Sequence, residues 1–187
     1  MIQGLILAAG QSRRFGTDKR LALIDGRPMV LHCALKWLDV MDDVLVVLRS
    51  EDIEVAQLLS NAGVACTHCS QSDQGMAHSL AHGVIETANA GSWAIGLADM
   101  PHLQASSIRT VAQASRQGQI IVPLYAGKRG HPVCFDRFFG PSLMALRGDR
   151  GARSLLHTHA EAILELELQD PGVLFDVDFP EQLPFLG

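Results

Sequence analysis

Leu5-Ile6-Leu7-Ala8-Ala9-Gly10-Gln11-Ser12-Arg13-Arg14-Phe15-Gly16-Thr17-Asp18-Lys19 is an apolar run that stops at glycine and passes into a basic loop. A short apolar run bounded by Gly suits a fully buried strand. Gly10 and Gly16 permit backbone angles and close approaches that a Cβ would forbid. Successive backbone N–H groups in such a loop make an anion-binding concavity. Ser12 adds a hydroxyl, Arg14 a fork of donors and Lys19 a compact point charge, a set suited to a triphosphate. The spacing is not that of a P-loop, which needs Gly, four residues, then Gly-Lys-Ser/Thr. Here five residues separate Gly10 from Gly16, and Lys19 comes three later. The G-x-G-x-x-G dinucleotide fingerprint is absent too, and on spacing alone an ordinary turn with surface arginines stays open.

Outward from this loop, strand and helix patterns alternate. Asp25-Gly26 is a turn dipeptide, and Pro28 suits a first helical position. Leu31, Ala34, Leu35 and Leu38 form one apolar helical stripe. Residues 43–48 read as a second buried strand. Ser50 is a helix-cap candidate, with acids in the first turn that follows. Residues 64–66 read as a short strand, and Met76, Leu80 and Val84 as a helix. Residues 93–98 form another buried strand, 104–117 a helix and 119–123 a strand. Beyond these come strand-like 131–135, helical 138–146, a helix through His157, and residues 162–168, which alternate as a half-exposed strand should. Such alternation implies an α/β fold whose mainly parallel sheet has helices on both faces. Ligands then bind past the carboxyl ends of strands, at a switch in strand order. The basic loop, Gly75 and Asp99 all follow predicted strands, so they can converge there.

Asp99 closes an apolar strand in Leu-Ala-Asp-Met-Pro. Burying a carboxylate is unfavourable unless it is paired or bound to a cation, and carboxylate oxygen suits Mg2+. A helix cap or solvated turn is the plain alternative. Asp176 and Asp178 point the same way in an extended segment, so register does not decide between them as a second ligand. His78 and His82 lie four apart but lack an evident third ligand. Cys66-x-x-Cys69 has no second pair at zinc-ribbon spacing. Its thiols read as buried or incidental in a reducing cytosol.

Leu-Ala-Ala-Gly-x-Ser-x-Arg-Phe-Gly-x-x-Lys resembles the signature of the nucleotidyltransferases that act on the molybdenum cofactor. Within that group it is most similar to the molybdenum cofactor cytidylyltransferases. In that signature Arg14 matches the arginine and Lys19 the phosphate-binding lysine, while Arg13 falls on a variable position. Leu-x-Asp-Met-Pro around Asp99 is similar to the family's metal motif. Asp176-Val177-Asp178-Phe179-Pro180-Glu181 resembles its Asp-Ile-Asp-Thr-Pro-Glu-Asp, with Phe179 in place of Thr and Gln182 in place of the last Asp. Gly75-Met76-x-x-Ser79 looks like the segment that approaches base and ribose. Gly130-His131-Pro132 and Gly148-Asp149-x-Gly151-Ala152-Arg153 resemble acceptor-side segments.

The resemblance implies a three-layer Rossmann-like fold of the nucleotide-diphosphosugar-transferase type, with a mixed sheet. It implies one nucleotidyltransferase domain over 1–187, with a nucleotide-binding half to about 125 and an acceptor-binding half beyond. Leu7, Ala8, Ala9, Gly10, Ser12, Arg14, Lys19, Gly75 and Ser79 are the implied nucleotide contacts. Arg14, Lys19 and Asp99 are the catalytic set, and Asp99, Asp176 and Asp178 the Mg2+ ligands. His131, Asp149 and Arg153 are the acceptor contacts. CMP transfer from CTP to molybdenum-bearing molybdopterin is the implied reaction, with a molybdoenzyme as recipient of the product. The Ala8-Ala9-Gly10 turn resembles the cytidylyl branch, since the guanylyl branch more often has a second Gly there.

Composition agrees with this. The chain has 187 residues, 48% hydrophobic and 19% charged, ordinary for one soluble globular domain. A net charge of −5 argues against non-specific nucleic-acid binding. The positive charge is local, with Arg13, Arg14, Lys19 and Arg20 close together, which suits a small anion. No signal peptide or membrane span is evident, and a cytoplasmic location is expected. Competing readings are a guanylyltransferase, a transferase using another phosphorylated acceptor, and a non-catalytic cofactor carrier. An oxidoreductase is disfavoured by the missing fingerprint.

Overall fold

A computed structural model describes residues 1–10 and 15–183. The chain opens with β1 (Ile2–Leu7), a small hairpin of β2 (Leu23–Ile24) and β3 (Arg27–Pro28), α1 (Met29–Leu38), β4 (Asp43–Arg49), α2 (Ile53–Asn61) and β5 (Ala65–Cys69). It continues through α3 (Met76–Glu86), β6 (Ser92–Leu97), α4 (Ala105–Gln113), β7 (Ile120–Tyr125), β8 (Lys128–Arg129) and β9 (Val133–Asp136). It then forms α5 (Gly140–Met144), α6 (Arg153–Thr158) and β10 (Ile163–Glu167).

The main sheet runs β10-β7-β9-β6-β1-β4-β5, with β8 against β7. Neighbours are parallel except that β9 opposes both β6 and β7, and β8 opposes β7. The expected α/β fold with a mixed, mainly parallel sheet is the one observed. Successive residues of β1 point to opposite faces. Ile6 and Ala8 therefore pack with Val30, Ala34 and Trp37 of α1, Val55 and Leu59 of α2, and Ile108 and Val111 of α4. Leu5 and Leu7 pack on the other face with Leu80, Ala81 and Val84 of α3 and Leu143 of α5. Gly96 sits mid-strand because a Cβ there would lie 2.3 Å from the Trp37 ring.

Several boundaries differ from the sequence reading. Pro28 is the N-cap of α1, one place before the first helical residue. The N-cap of α2 is Asp52 and not Ser50; the Asp52 carboxylate is held by arginines and makes no cap hydrogen bond. The helix expected over 104–117 is shorter, ending at Gln113. Asp25 and Gly26 turn the β2–β3 hairpin with φ of 50° and 76°.

The sheet's register positions the site. Chain order reverses at β1, whose successor β4 lies on one side and β6 on the other. Leu7 is opposite Val47 of β4 and Leu97 of β6. The Ala8 N–H donates to Val47 O at 2.9 Å, and the Ala98 N–H to Leu7 O at 3.1 Å. The exits of β1 and β6 are therefore side by side, at the switch in strand order where ligand crevices form.

Candidate active site

A cleft of about 630 Å3 opens over these strand ends. Leu7, Ala8, Ala9 and Gly10 line it from β1, Asp99 from β6, and Gly75, Met76 and Ser79 from α3. Lys19, Arg20, Ser72, Asp73 and Asp149 line it as well. Ser12 and Arg14, expected on the phosphate loop, lie outside the described residues. Ser79 is only 2% exposed and faces the cleft from the first turn of α3.

Lys19 reaches across to the end of β6. Its ammonium lies 2.7 Å from Asp99 Oδ2 and 3.1 Å from Asp178 Oδ1, and it donates to Val177 O at 2.8 Å. Burial disfavours the charge, but the hydrogen bonds and charges of Asp99 and then Asp178 outweigh it, so the lysine pKa is raised. Carboxylate oxygens of Asp99, Asp176 and Asp178 all lie within 4.8 Å of one another. Asp99 Oδ1 is buried with no hydrogen-bond partner among the described residues. An orphaned carboxylate oxygen among convergent carboxylates fits a hard divalent cation with oxygen ligands.

The segment carrying Asp176 and Asp178 is fixed by contacts remote in sequence. The Val177 N–H donates to Asp99 O at 2.8 Å. The Val177 side chain is fully buried against Phe15, Ile24, Met29 and Cys33, a burial that contributes roughly 1.5–3 kcal/mol. Upstream, the buried Asp170 carboxylate accepts from the Gln104 N–H, the Ser107 hydroxyl and the Gly172 N–H at 2.9, 2.7 and 2.8 Å. The His131 N–H donates to Val173 O at 2.8 Å. A Cβ on Gly130 would sit 2.2 Å from that same carbonyl. Gly130-His131-Pro132 thus docks the segment that leads to Asp176 and Asp178, a packing role that its sequence alone did not disclose.

The His131 ring has its Nδ1 buried without a hydrogen-bond partner among the described residues. Burial pushes its pKa down, against a hydrogen bond with the Ile95 backbone and the charges of Asp99 and Asp176. His131 does not line the cleft, and Arg153 is exposed at the start of α6, also off the lining. Asp149 does line it. The Gly148–Asp149 turn rests on α3, where the Ala77 N–H donates to Gly148 O at 2.9 Å. Gly75 has φ 118°, and a Cβ there would lie 2.3 Å from Asp149 Oδ1. Only glycine admits both that backbone and that approach.

The other candidates separate from the site. His82 Nε2 lies 2.9 Å from Thr67 Oγ1, and His78 Nδ1 accepts weakly from the Gly148 N–H at 3.4 Å. All four cysteines are free thiols. Cys66 and Cys69 pack into different core clusters on opposite faces of β5, so they do not form a joint site. Burial raises the Cys33 thiol to about 12 and the Cys134 thiol to about 11.

Arg20, counted in the sequence only as local positive charge, is 3% exposed and finds its partners outside the Asp99 and Asp178 carboxylates. It pairs with Asp18 and Asp52. Arg49 joins them, at 2.7 Å from Asp52 Oδ1 and 3.5 Å from Asp18 Oδ2. Burial alone would raise the Asp52 pKa, but hydrogen bonds from Arg20 and Arg49 hold it down at about 2. No sequence periodicity marks this network, because its two segments, residues 18–20 and 49–52, are remote from each other in the chain.

Strand-end loops that bring a lysine, convergent carboxylates and a glycine-lined turn to one crevice are the furniture of nucleotide transfer. A MobA-like NTP transferase domain matches residues 4–163, and the chain belongs to that family of nucleotidyltransferases. It is 30% identical to "Purine catabolism protein PucB" of Bacillus subtilis (strain 168), over 96% of this chain and 92% of that one. It is 32% identical to a "Probable molybdenum cofactor guanylyltransferase" of Haloferax mediterranei, over 64% of this chain and 58% of that one. Among solved structures it superposes on Rv0371c from Mycobacterium tuberculosis H37Rv with a TM-score of 0.78 and 28% identity, covering 95% of this chain and 92% of that one. Rv0371c also has a structure in complex with manganese, matched at TM-score 0.73 and 25% identity over 89% of this chain and 88% of that one. Among the described residues no helix is long and apolar enough to cross a membrane.

Proposed function

We propose that the protein transfers CMP from CTP to molybdopterin bearing molybdenum, releasing pyrophosphate and forming a cytosine dinucleotide cofactor. The observation that carries the transfer chemistry is the meeting of Lys19 with Asp99 and Asp178 beside the Ala8–Gly10 turn. The triphosphate lies along the loop after β1, with the base toward Gly75 and Ser79. An oxygen of the acceptor's terminal phosphate attacks the α-phosphorus in line. The bond from the α-phosphorus to the bridging oxygen breaks, and pyrophosphate leaves. Lys19 and Arg14 offset the charge that builds on the phosphates, so positioning and electrostatics carry the reaction. Asp99, Asp178 and Asp176 are the residues to hold Mg2+, which when bound neutralises phosphate charge beside them. Asp149 and, from the resemblance, His131 and Arg153 form the acceptor side. No protein nucleophile is required, because the acceptor is already an anion.

The Ala8-Ala9-Gly10 turn supports CTP. The similarity to a protein named as a guanylyltransferase favours GTP as the second reading. Pyrophosphate release by the purified protein, measured with each of the four nucleoside triphosphates and molybdenum-bearing molybdopterin, tests both. Release with CTP and not GTP is the expected result. The reverse makes the protein a guanylyltransferase, and no release with any nucleotide ends the transferase reading.

A further inference from the structure

Lys19 and Arg20 are adjacent, yet their charged ends diverge. Lys19 reaches the carboxylates beyond β6, whereas Arg20 turns toward β4 and the start of α2. A guanidinium has five N–H donors in a rigid plane, and each one here has an acceptor. Nε–H donates to Asp18 Oδ1 at 2.8 Å. The Nη1 hydrogens go to Ala8 O at 2.7 Å and to Asp52 Oδ2. The Nη2 hydrogens go to Asp18 Oδ2 at 2.6 Å and Asp52 Oδ1 at 2.7 Å. No N–H is left for a phosphate oxygen. The charge is balanced as well, since the two carboxylates face Arg20 and Arg49 together. Arg20 borders the cleft without being equipped to bind what enters it.

What the fork joins is informative. Ala8 is where the chain leaves β1. Asp18 is the N-cap of the single turn that carries Lys19, and it accepts the Arg20 N–H at 3.1 Å. Asp52 is the N-cap of α2. The basic loop runs between Ala8 and Asp18, so one planar group ties both of its ends to each other and to α2. A buried ion pair is weak evidence for stability, because desolvation offsets attraction, so a cluster this well satisfied points to geometry. We propose that Arg20 is the positioning residue for Lys19. It is a clip that fixes the exit of β1 and the turn carrying Lys19 against α2, and thereby sets where the Lys19 ammonium meets the nucleotide. The inference rests on the transferase reading above.

Lysine keeps the charge but cannot span Ala8, Asp18 and Asp52 from one point. The experiment measures binding of Mg2+ with the α,β-methylene analogue of CTP, or of GTP where the wild type prefers it. The variants are Arg20→Lys, Lys19→Gln and the double substitution, each with its thermal midpoint. Arg20→Lys should weaken binding roughly tenfold in the wild-type background and by less than about twofold once Lys19 is Gln. Equal losses in both backgrounds, or no loss in either, overturn the positioning role. Should Arg20→Lys fail to fold, Asp52→Asn, which turns two of the fork's donors toward an amide, replaces it with the same expected non-additivity. Normal wild-type binding with additive variants overturns this inference alone, whereas absence of wild-type binding overturns the transferase reading and the inference with it.

Discussion

The Lys19 ammonium nitrogen lies 2.7 Å from Asp99 Oδ2, the carboxylate that ends β6. Asp178 Oδ1 is 3.1 Å from the same nitrogen. The lysine therefore sits among oxygens that suit a divalent cation, and a cation binding there would have to compete with it. Lys19→Gln should bind Mn2+ several-fold to about tenfold more tightly than wild type in the absence of nucleotide, because a like charge has gone. It should at the same time lose turnover, because the phosphates lose their lysine. Mn2+ titration followed by electron paramagnetic resonance reads the first effect. Unchanged or weaker Mn2+ binding would remove the competition.

Asp99→Asn tests the carboxylate itself. The amide oxygen can still accept from Lys19, so the thermal midpoint should stay within a few degrees of wild type. Mn2+ binding should fall below detection and turnover by about 10²–10³-fold, as when a group aimed at developing charge is removed. A variant that kept wild-type turnover would take Asp99 out of the chemistry.

Gly130→Ala acts at a distance. The new methyl would meet Val173 O at 2.2 Å and the Val173 Cβ at 3.1 Å, so the segment leading to Asp176 and Asp178 must shift. Because the neighbour is backbone, it cannot simply rotate away. The expected result is weakened Mn2+ binding and turnover together with a lower thermal midpoint, although residue 130 does not line the cleft. Wild-type metal affinity in this variant would separate the Gly130 turn from the placement of Asp176 and Asp178.

The Asp52 network predicts a pH dependence with a definite sign. Its folded pKa of about 2 is below the ordinary 3.8. A depressed carboxylate contributes stability that is present above the unfolded value and lost as pH falls through the folded one. The thermal midpoint of wild type should exceed that of Asp52→Asn by a nearly constant margin from pH 8 to 5. That margin should then shrink between about pH 4 and pH 2. A margin that stayed constant down to pH 2 would show that Asp52 is not held ionised by Arg20 and Arg49.

Much of this architecture was legible in the chain as written. Apolar runs that end at Gly10 and Asp99 placed two strands with loops at their carboxyl ends, because burial on both faces of a parallel sheet leaves a continuous apolar signature. Periodicity marked α1 and α3, since an apolar stripe is a local property of sequence. The spacing of Asp176 and Asp178 showed that both carboxylates project the same way, and they do share one cluster with Asp99. Local rules were weaker at Ser50, where the cap went to Asp52. The arginines that hold its carboxylate come from β4 and from the loop after β1.

Sequence alone determined which residue types stand at the ends of which strands, because a side chain's alternation and a glycine's freedom are fixed within a few positions. Only the tertiary structure decided that Lys19 turns to the carboxylates while Arg20 turns to Asp52. It alone decided that Gly130 serves the Val173 carbonyl, and that β9 enters the sheet against its neighbours. Those outcomes depend on strand order and register, which set Leu7 level with both Val47 and Leu97. A charge buried between segments that are distant in the chain takes its direction from whichever partner that register brings within hydrogen-bonding reach.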